Sequence, residues 1–342
     1  MNRTNIVLSA ILVVQLVLVG LALRPAETTA PKTKTFFEGI GKDAVTALVI
    51  HDQDKELRLE KKDDAWLVQA DHEYPADATK ITALLDKLTG LSSNRLVART
   101  RASHVRLKVA DDLYNRRLDL VAGDTTISLY LGSSPTYKTL HVRLADEDEV
   151  YLVTDLSIWE LQTTKESWWK TRYLDLAATD LTRVELENKA GSFTIEKKKD
   201  AEAPWRLAGE DAALDPKAVD DFLAAASRIT LLTYLGTEEK PDYGLDKPAA
   251  TTRLTTKDGK TITVRIGPKN KDENNHVVKR DDSPFYVSVA AYAVEKLLDK
   301  TADSLLAAKE APSPDDTTGP DDNEAPPEDK AAATPTADAA DR

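Results

Sequence analysis

The chain contains one unit twice, and this duplication constrains its fold more than any other feature. Ala44–Trp66 reads AVTALVIHDQDKELRLEKKDDAW and Asp180–Trp205 reads DLTRVELENKAGSFTIEKKKDAEAPW. Thr46 falls on Thr182, Glu60-Lys61-Lys62 on Glu196-Lys197-Lys198 and Trp66 on Trp205. Further on, Ile81, Leu84, Leu85, Leu88 and Leu91 match Val219, Phe222, Leu223, Ala226 and Ile229 at a constant shift of 138. Their spacing is one face of a helix. Asp77 and Asp215-Pro216 supply the N-caps, the second with a first-turn proline. A fold that suits one copy must therefore suit the other.

Each helix is followed by short β-rich runs separated by turn signals. They are Asn94–Ala98, Arg117–Val121, Thr126–Leu131, His141–Leu144 and Val150–Val153 in the first copy. In the second they are Leu231–Leu235, Thr251–Thr256, Thr261–Ile266, His276–Lys279 and Phe285–Val287. Gly123-Asp124 and Asp258-Gly259 mark corresponding hairpins. A closing helix is predicted over Asp155–Gln162 and again over Val289–Leu306. Hairpin-length links imply mainly antiparallel sheets with helices on one face, an α+β tandem duplication. The expected units are 44–178 and 179–308, preceded by a linker over 25–43.

The two ends of the chain differ from this body. Ile6–Leu23 is apolar but for Ser9, Gln15 and Gly20, and lies between Arg3 and Arg24-Pro25. As a helix it would span roughly 27 Å, against a hydrocarbon core of about 30 Å. It predicts a signal anchor over 1–24: a single pass through the inner (cytoplasmic) membrane, with a cytoplasmic N-terminus and a periplasmic globular part. Cleavage near Gly20-Leu21-Ala22 is the alternative, and would release a soluble periplasmic protein. Residues 309–342 form an acidic tail rich in Pro and Ala. From Glu310 onward it has ten acids against Lys330 and Arg342, and is expected to be disordered. That tail supplies −8 of the net −12, which argues against a nucleic-acid partner.

Tests for chemistry return little. The absence of cysteine excludes disulfides, thiolate nucleophiles and lipid-modified cysteine. Gly39-Ile40-Gly41-Lys42-Asp43-Ala44 fits a dinucleotide-loop pattern but precedes a strand instead of following one. No phosphate-binding lysine loop or nucleophile elbow occurs, and Gly132-Ser133-Ser134-Pro135 aligns with Gly267-Pro268-Lys269-Asn270, which has no serine. His51, His72, His104, His141 and His276 are dispersed, without metal-ligand spacing. The acid pairs Asp63-Asp64, Asp111-Asp112, Asp220-Asp221 and Asp281-Asp282, and the run Asp146–Glu149, read as solvated charge. No catalytic residue, metal ligand or cofactor is expected, and the chain reads as non-enzymatic.

Three groups stand out as interaction sites. Arg95, Arg99, Arg101, Arg106 and Lys108 concentrate positive charge in an acidic protein; equally, Val105, Leu107 and Val109 alternate as on a half-exposed strand. Trp159, Trp168 and Trp169 cluster where the units meet, either as buried packing or as an exposed platform. The third group is Tyr243, Asp246 and Lys247, within Tyr243-Gly244-Leu245-Asp246-Lys247-Pro248, which the first copy lacks.

That hexapeptide, the following Ala250-Thr251-Thr252, the hairpin end at Ile266-Gly267, the WRL at Trp205–Leu207 and the TRYLDL at Thr171–Leu176 resemble the bacterial domain-of-unknown-function family numbered 4340, over about residues 44–306. Members are typically single-pass extracytoplasmic proteins encoded beside ABC-type transport components, including those linked to gliding motility. The family has no established catalytic residues to carry over. The resemblance implies a membrane-anchored accessory protein whose partner is an integral-membrane transport subunit or an envelope polymer. The alternatives are a periplasmic protein binding a glycan or other anionic ligand, and an envelope hydrolase with unrecognised catalytic residues.

Overall fold

The computed structural model describes residues 11–15, 19, 32–197, 205–210, 212–270 and 272–307. The first unit opens with β1 (Lys34–Thr35) and continues through β2 (Ala47–His51), β3 (Glu56–Lys62), β4 (Ala65–Gln69), β5 (Glu73–Pro75) and helix α1 (Ala78–Thr89). After α1 come β6 (Ser92–Ser93), β7 (Leu96–Ala98), the short helix α2 (His104–Leu107), β8 (Arg116–Ala122), β9 (Thr125–Leu131), β10 (Thr139–Leu144) and β11 (Val150–Thr154). Nine of these strands form one sheet in the order β5-β4-β3-β2-β8-β9-β10-β11-β7, antiparallel at every pairing.

The second unit repeats this plan. It comprises β12 (Arg172–Asp175), β13 (Leu181–Asn188), β14 (Gly191–Lys197), β15 (Trp205–Leu207), α3 (Pro216–Ser227), β16 (Arg228–Thr230), β17 (Thr233–Gly236), β18 (Ala250–Thr256), β19 (Thr261–Asn270), β20 (Asn275–Arg280), β21 (Tyr286–Ala290) and α4 (Ala291–Leu298). Eight strands are ordered β15-β14-β13-β18-β19-β20-β21-β17, and β12 pairs with β16 as β1 pairs with β6. The expected α+β duplication of antiparallel sheets is therefore present.

Local chemistry accounts for the helices. The Asp77 carboxylate accepts from the backbone N–H groups of Thr79 and Lys80, and Asp215 does the same for Lys217 and Ala218. These bonds satisfy donors that a helix start leaves unpaired. All ten apolar residues matched between the copies are buried.

Some expectations need correction. Asp155–Gln162 forms only a 3-10 turn at Ile158–Glu160, and the last helix is confined to Ala291–Leu298. Part of the segment read as linker belongs to the fold, since β1 pairs with β6 and Phe36 and Phe37 are buried. The largest correction concerns the membrane. Within Ile6–Leu23 only residues 11–15 and 19 are described. Among the described residues no helix is long and apolar enough to cross a membrane. The single-pass helix, the inner-membrane placement and the membrane partnership are thus withdrawn. The remainder of that segment, and the tail over 309–342, lie outside the described residues.

The units meet through the chain that links them. Asp77 N–H donates to Trp168 O (2.7 Å) and Lys170 N–H to Pro75 O (2.8 Å), fastening the linking segment to the first unit. Leu231 N–H donates to Thr171 O (2.9 Å) and the Tyr173 hydroxyl to Phe285 O (2.7 Å), fastening it to the second. Between them Tyr74 sits with its ring 5.0 Å from that of Tyr234 and 5.5 Å from those of Trp169 and Phe285. Burial, followed by its hydrogen bond to Asp71, pushes the Tyr74 hydroxyl up to about 12, so the seam holds no phenolate at neutral pH. Buried residues of both units belong to one continuous core. Tyr74→Ala should therefore cost about 3–5 kcal/mol, as truncation of large core aromatics does. Calorimetry should show one thermal transition for the parent and, for the variant, a lowered transition split in two.

Candidate binding site

In both units a turn following the edge strand folds back onto the sheet face opposite the helices. Small apolar clusters hold it there: Leu107, Val109, Tyr130 and Val150 in the first unit, and Tyr243, Leu245 and Tyr286 in the second. The approach is close enough to require glycine beneath it. A Cβ on Gly132 would lie 2.1 Å from the Leu107 carbonyl oxygen, and one on Gly267 would lie 2.2 Å from that of Tyr243. Each turn then passes through a left-handed residue, Lys108 at φ 58° and Gly244 at φ 61°.

The basic group and the Tyr243 group thus occupy one structural position in the two copies. The first copy lacks the hexapeptide's residues but keeps its geometry. Residues 104–107 are helical, so the alternation of Val105, Leu107 and Val109 does not mark a strand. Leu107 and Val109 are nevertheless buried, because the left-handed turn at Lys108 brings both onto the sheet, while Val105 stays exposed.

Arg95, Arg99, Arg101, Arg106 and Lys108 are all exposed. Arg101 pairs with Asp148 (2.9 Å); among the described residues the other four side chains have no ion-pair partner. Arg95, Val97 and Arg99 lie on one side of the extended run through β7, with Leu96 and Ala98 turned toward the protein. The turn carrying these charges is anchored by a buried arginine that sequence reasoning missed. Arg143, 3% exposed, donates to the carbonyls of Val109 (2.8 Å), Leu144 (3.2 Å), Ala145 (3.2 Å) and Glu147 (3.1 Å), and to the Asp111 carboxylate (2.5 Å). Its guanidinium lies 4.5 Å from the centre of the Tyr130 ring. His104 is also buried, with Nε2 2.8 Å from Asp148 O. The only signal for either residue was its place beside an apolar run, which does not separate an anchor from a solvated charge.

Ser133 Oγ lies 3.0 Å from His141 Nδ1 and 3.2 Å from Leu107 O. Burial holds the His141 imidazole below its ordinary value, and the nearby Arg106 charge adds to this while a hydrogen bond with Ser133 opposes it. Among the described residues no carboxylate hydrogen-bonds His141, so the pair lacks the acid that orients a nucleophile's base. His141 has no histidine counterpart. Val142 and Val278 hold matching positions between their neighbouring strands, which sets His141 opposite Leu152 and Val277 opposite Ser288. His276 is one residue out of step, buried, with Nδ1 2.9 Å from Gly267 O.

The tryptophans separate. Trp168 and Trp169 are buried at the seam, whereas Trp159 is 79% exposed beside a shallow groove with Lys80, Gln162 and Ser167. Tyr243 is buried under its turn, while Asp246 and Lys247 are exposed at the tip. Among the described residues no three His, Asp or Glu side chains come together as a metal site.

The sequence model of a family described as Domain of unknown function (DUF4340) matches residues 66–248. The chain belongs to the DUF4340 family. No curated protein and no solved structure matches it. The DUF4340 match begins in β4 and ends just before β18, so it contains both turns and the seam residues Tyr74, Trp169 and Tyr234 but neither whole sheet. The membership brings no activity with it, and the expected role as a membrane-anchored partner of a transport subunit falls with the membrane helix on which it was built.

Two outcomes follow from this geometry. Lys108→Gly should raise stability by about 1 kcal/mol in chemical denaturation, because a left-handed conformation costs a side-chain-bearing residue about that much. The His141 imidazole, followed by proton NMR, should titrate below its ordinary 6.5, and Arg106→Glu should move its midpoint upward. Since protonation is disfavoured in the folded state, His141 subtracts stability only as pH falls through the ordinary histidine value toward the lowered one.

Proposed function

We propose that this chain acts by binding and not by catalysis, and that the β7 edge and the turn after it receive an acidic oligosaccharide. The observation that carries this reading is the set of four cations, Arg95, Arg99, Arg106 and Lys108, that have no ion-pair partner among the described residues, in a chain of net charge −12. Two nearby carboxylates are already engaged, Asp111 by Arg143 and Asp148 by Arg101. Their layout favours an extended ligand over a single small anion. Arg95 and Arg99 are four residues apart along extended chain, roughly 13 Å, and therefore do not converge on one phosphate-sized group. The exposed Val97 between them offers an apolar strip for a sugar ring. Arg143 and His104 fix the backbone beneath, so binding need not order the turn first, which lowers its entropic cost.

Fluorescence anisotropy with a labelled heparin hexasaccharide, and with neutral dextran for comparison, tests the proposal. Affinity for heparin should fall steeply between about 50 and 500 mM salt, as screening requires. Replacing Arg95, Arg99 and Arg106 together by Glu should weaken it at least about tenfold, each exposed attraction being worth about 0.5–1 kcal/mol. Equal binding by parent and variant would refute the assignment, as would equal affinity for dextran.

A further inference from the structure

Where the first unit presents its cations, the second has a cleft. Its volume is about 500 Å³, and it lies between the Pro241–Tyr243 turn, the far end of β19 at Pro268–Asn270 and the outer face of β20 and β21. In β21, Val287 and Val289 point into the core, so alternation puts Tyr286 and Ser288 on the outer face with Tyr243. Ser288 lines the cleft together with Leu235 and Val277.

The Ser288 hydroxyl is the anomaly. The residue is 3% exposed and its Oγ has no hydrogen-bond partner among the described residues. Across the strands it faces Val277 and Thr233; the first has an apolar side chain, and the second spends its hydroxyl proton on Tyr234 O (3.3 Å). A buried hydroxyl without a partner is destabilising, because its desolvation goes uncompensated. The first unit avoids this cost by holding Leu152 at the matching position.

The rest of the lining defines the chemistry. Lys240 and Lys269 line it together with Asp242 and Glu273, so the charges of the lining sum to zero. Asn275, 7% exposed, donates its amide N–H to Glu273 (2.7 Å), which leaves its carbonyl oxygen without a partner among the described residues. Asn270 accepts from the backbone of Asp272 and Glu273 (3.0 and 3.4 Å), which leaves its amide N–H groups free among the described residues. The lining therefore offers both unpaired donors and unpaired acceptors beside apolar side chains, which suits groups acting as both, above all hydroxyls. We infer that this cleft binds a small uncharged polyhydroxylated ligand of the sugar class, with Ser288 as the buried contact at its base. The volume lies within the range of small-molecule sites. The inference is independent of the heparin-type site on the first unit and stands or falls separately.

Saturation-transfer NMR on the full chain with glucose, N-acetylglucosamine and maltose, and with glutamate and citrate as charged comparators, tests it. Transfer to at least one sugar is expected, with affinity about five- to tenfold lower in Ser288→Ala and in Asn275→Ala, the effect of one lost hydrogen bond. Ser288→Ala should melt no lower than the parent, because it removes an unpaired hydroxyl. Absence of transfer to every sugar would overturn the inference, as would transfer unaffected by Ser288→Ala or a preference for citrate or glutamate. A marked fall in melting temperature for Ser288→Ala would overturn its premise.

Discussion

A carbonyl oxygen resting where a side chain would otherwise be is the contact on which this molecule's outer face depends. Leu107 O over Gly132 and Tyr243 O over Gly267 press a turn flat against each sheet, at distances no Cβ would tolerate. Once the turn is down, a small apolar cluster closes beneath it and a left-handed residue redirects the chain. The result is a rigid rim along the sheet edge whose outward residues are free of any packing duty. The two copies have used that freedom differently, one for charge and the other for a cleft.

The seam is a second constraint. Tyr74, Trp169, Tyr234 and Phe285 make one aromatic cluster from residues of both units, and the 168–173 segment hydrogen-bonds to each. A duplicated unit joined in this way holds its two rims in a fixed relation, because buried aromatic area resists separation in water. The indole N–H of Trp169, without a hydrogen-bond partner among the described residues, is a cost within this cluster.

Much of the fold was legible because it rests on periodicity. The α1 and α3 stripes, their Asp caps and the Gly123 and Gly259 hairpins are local signals, and the duplication allowed each to be read twice. What was not legible depends on contacts distant in sequence. Arg143 resembles any strand arginine until Val109 and Glu147 are brought to it, and Ser288 resembles any strand serine until its neighbours are known. The one-residue offset that separates His141 from His276 is likewise invisible without strand pairing, since both sit in matching runs. Alternation of Val105, Leu107 and Val109 pointed to a strand because a helical turn followed by a left-handed residue can bury two of the same positions. The basic residues were recognisable as a group by their number alone, and the structure adds that their side chains are exposed on an anchored turn.

The central claim is that the rim following β7 is the working surface. Hydrogen–deuterium exchange of the full chain, with and without heparin hexasaccharide, tests it most directly because it reads every amide at once. The account predicts slowed exchange confined to residues 95–109, with the helical face at 216–227 and 291–298 unchanged. Protection centred on those helices, with 95–109 unaffected, would contradict it.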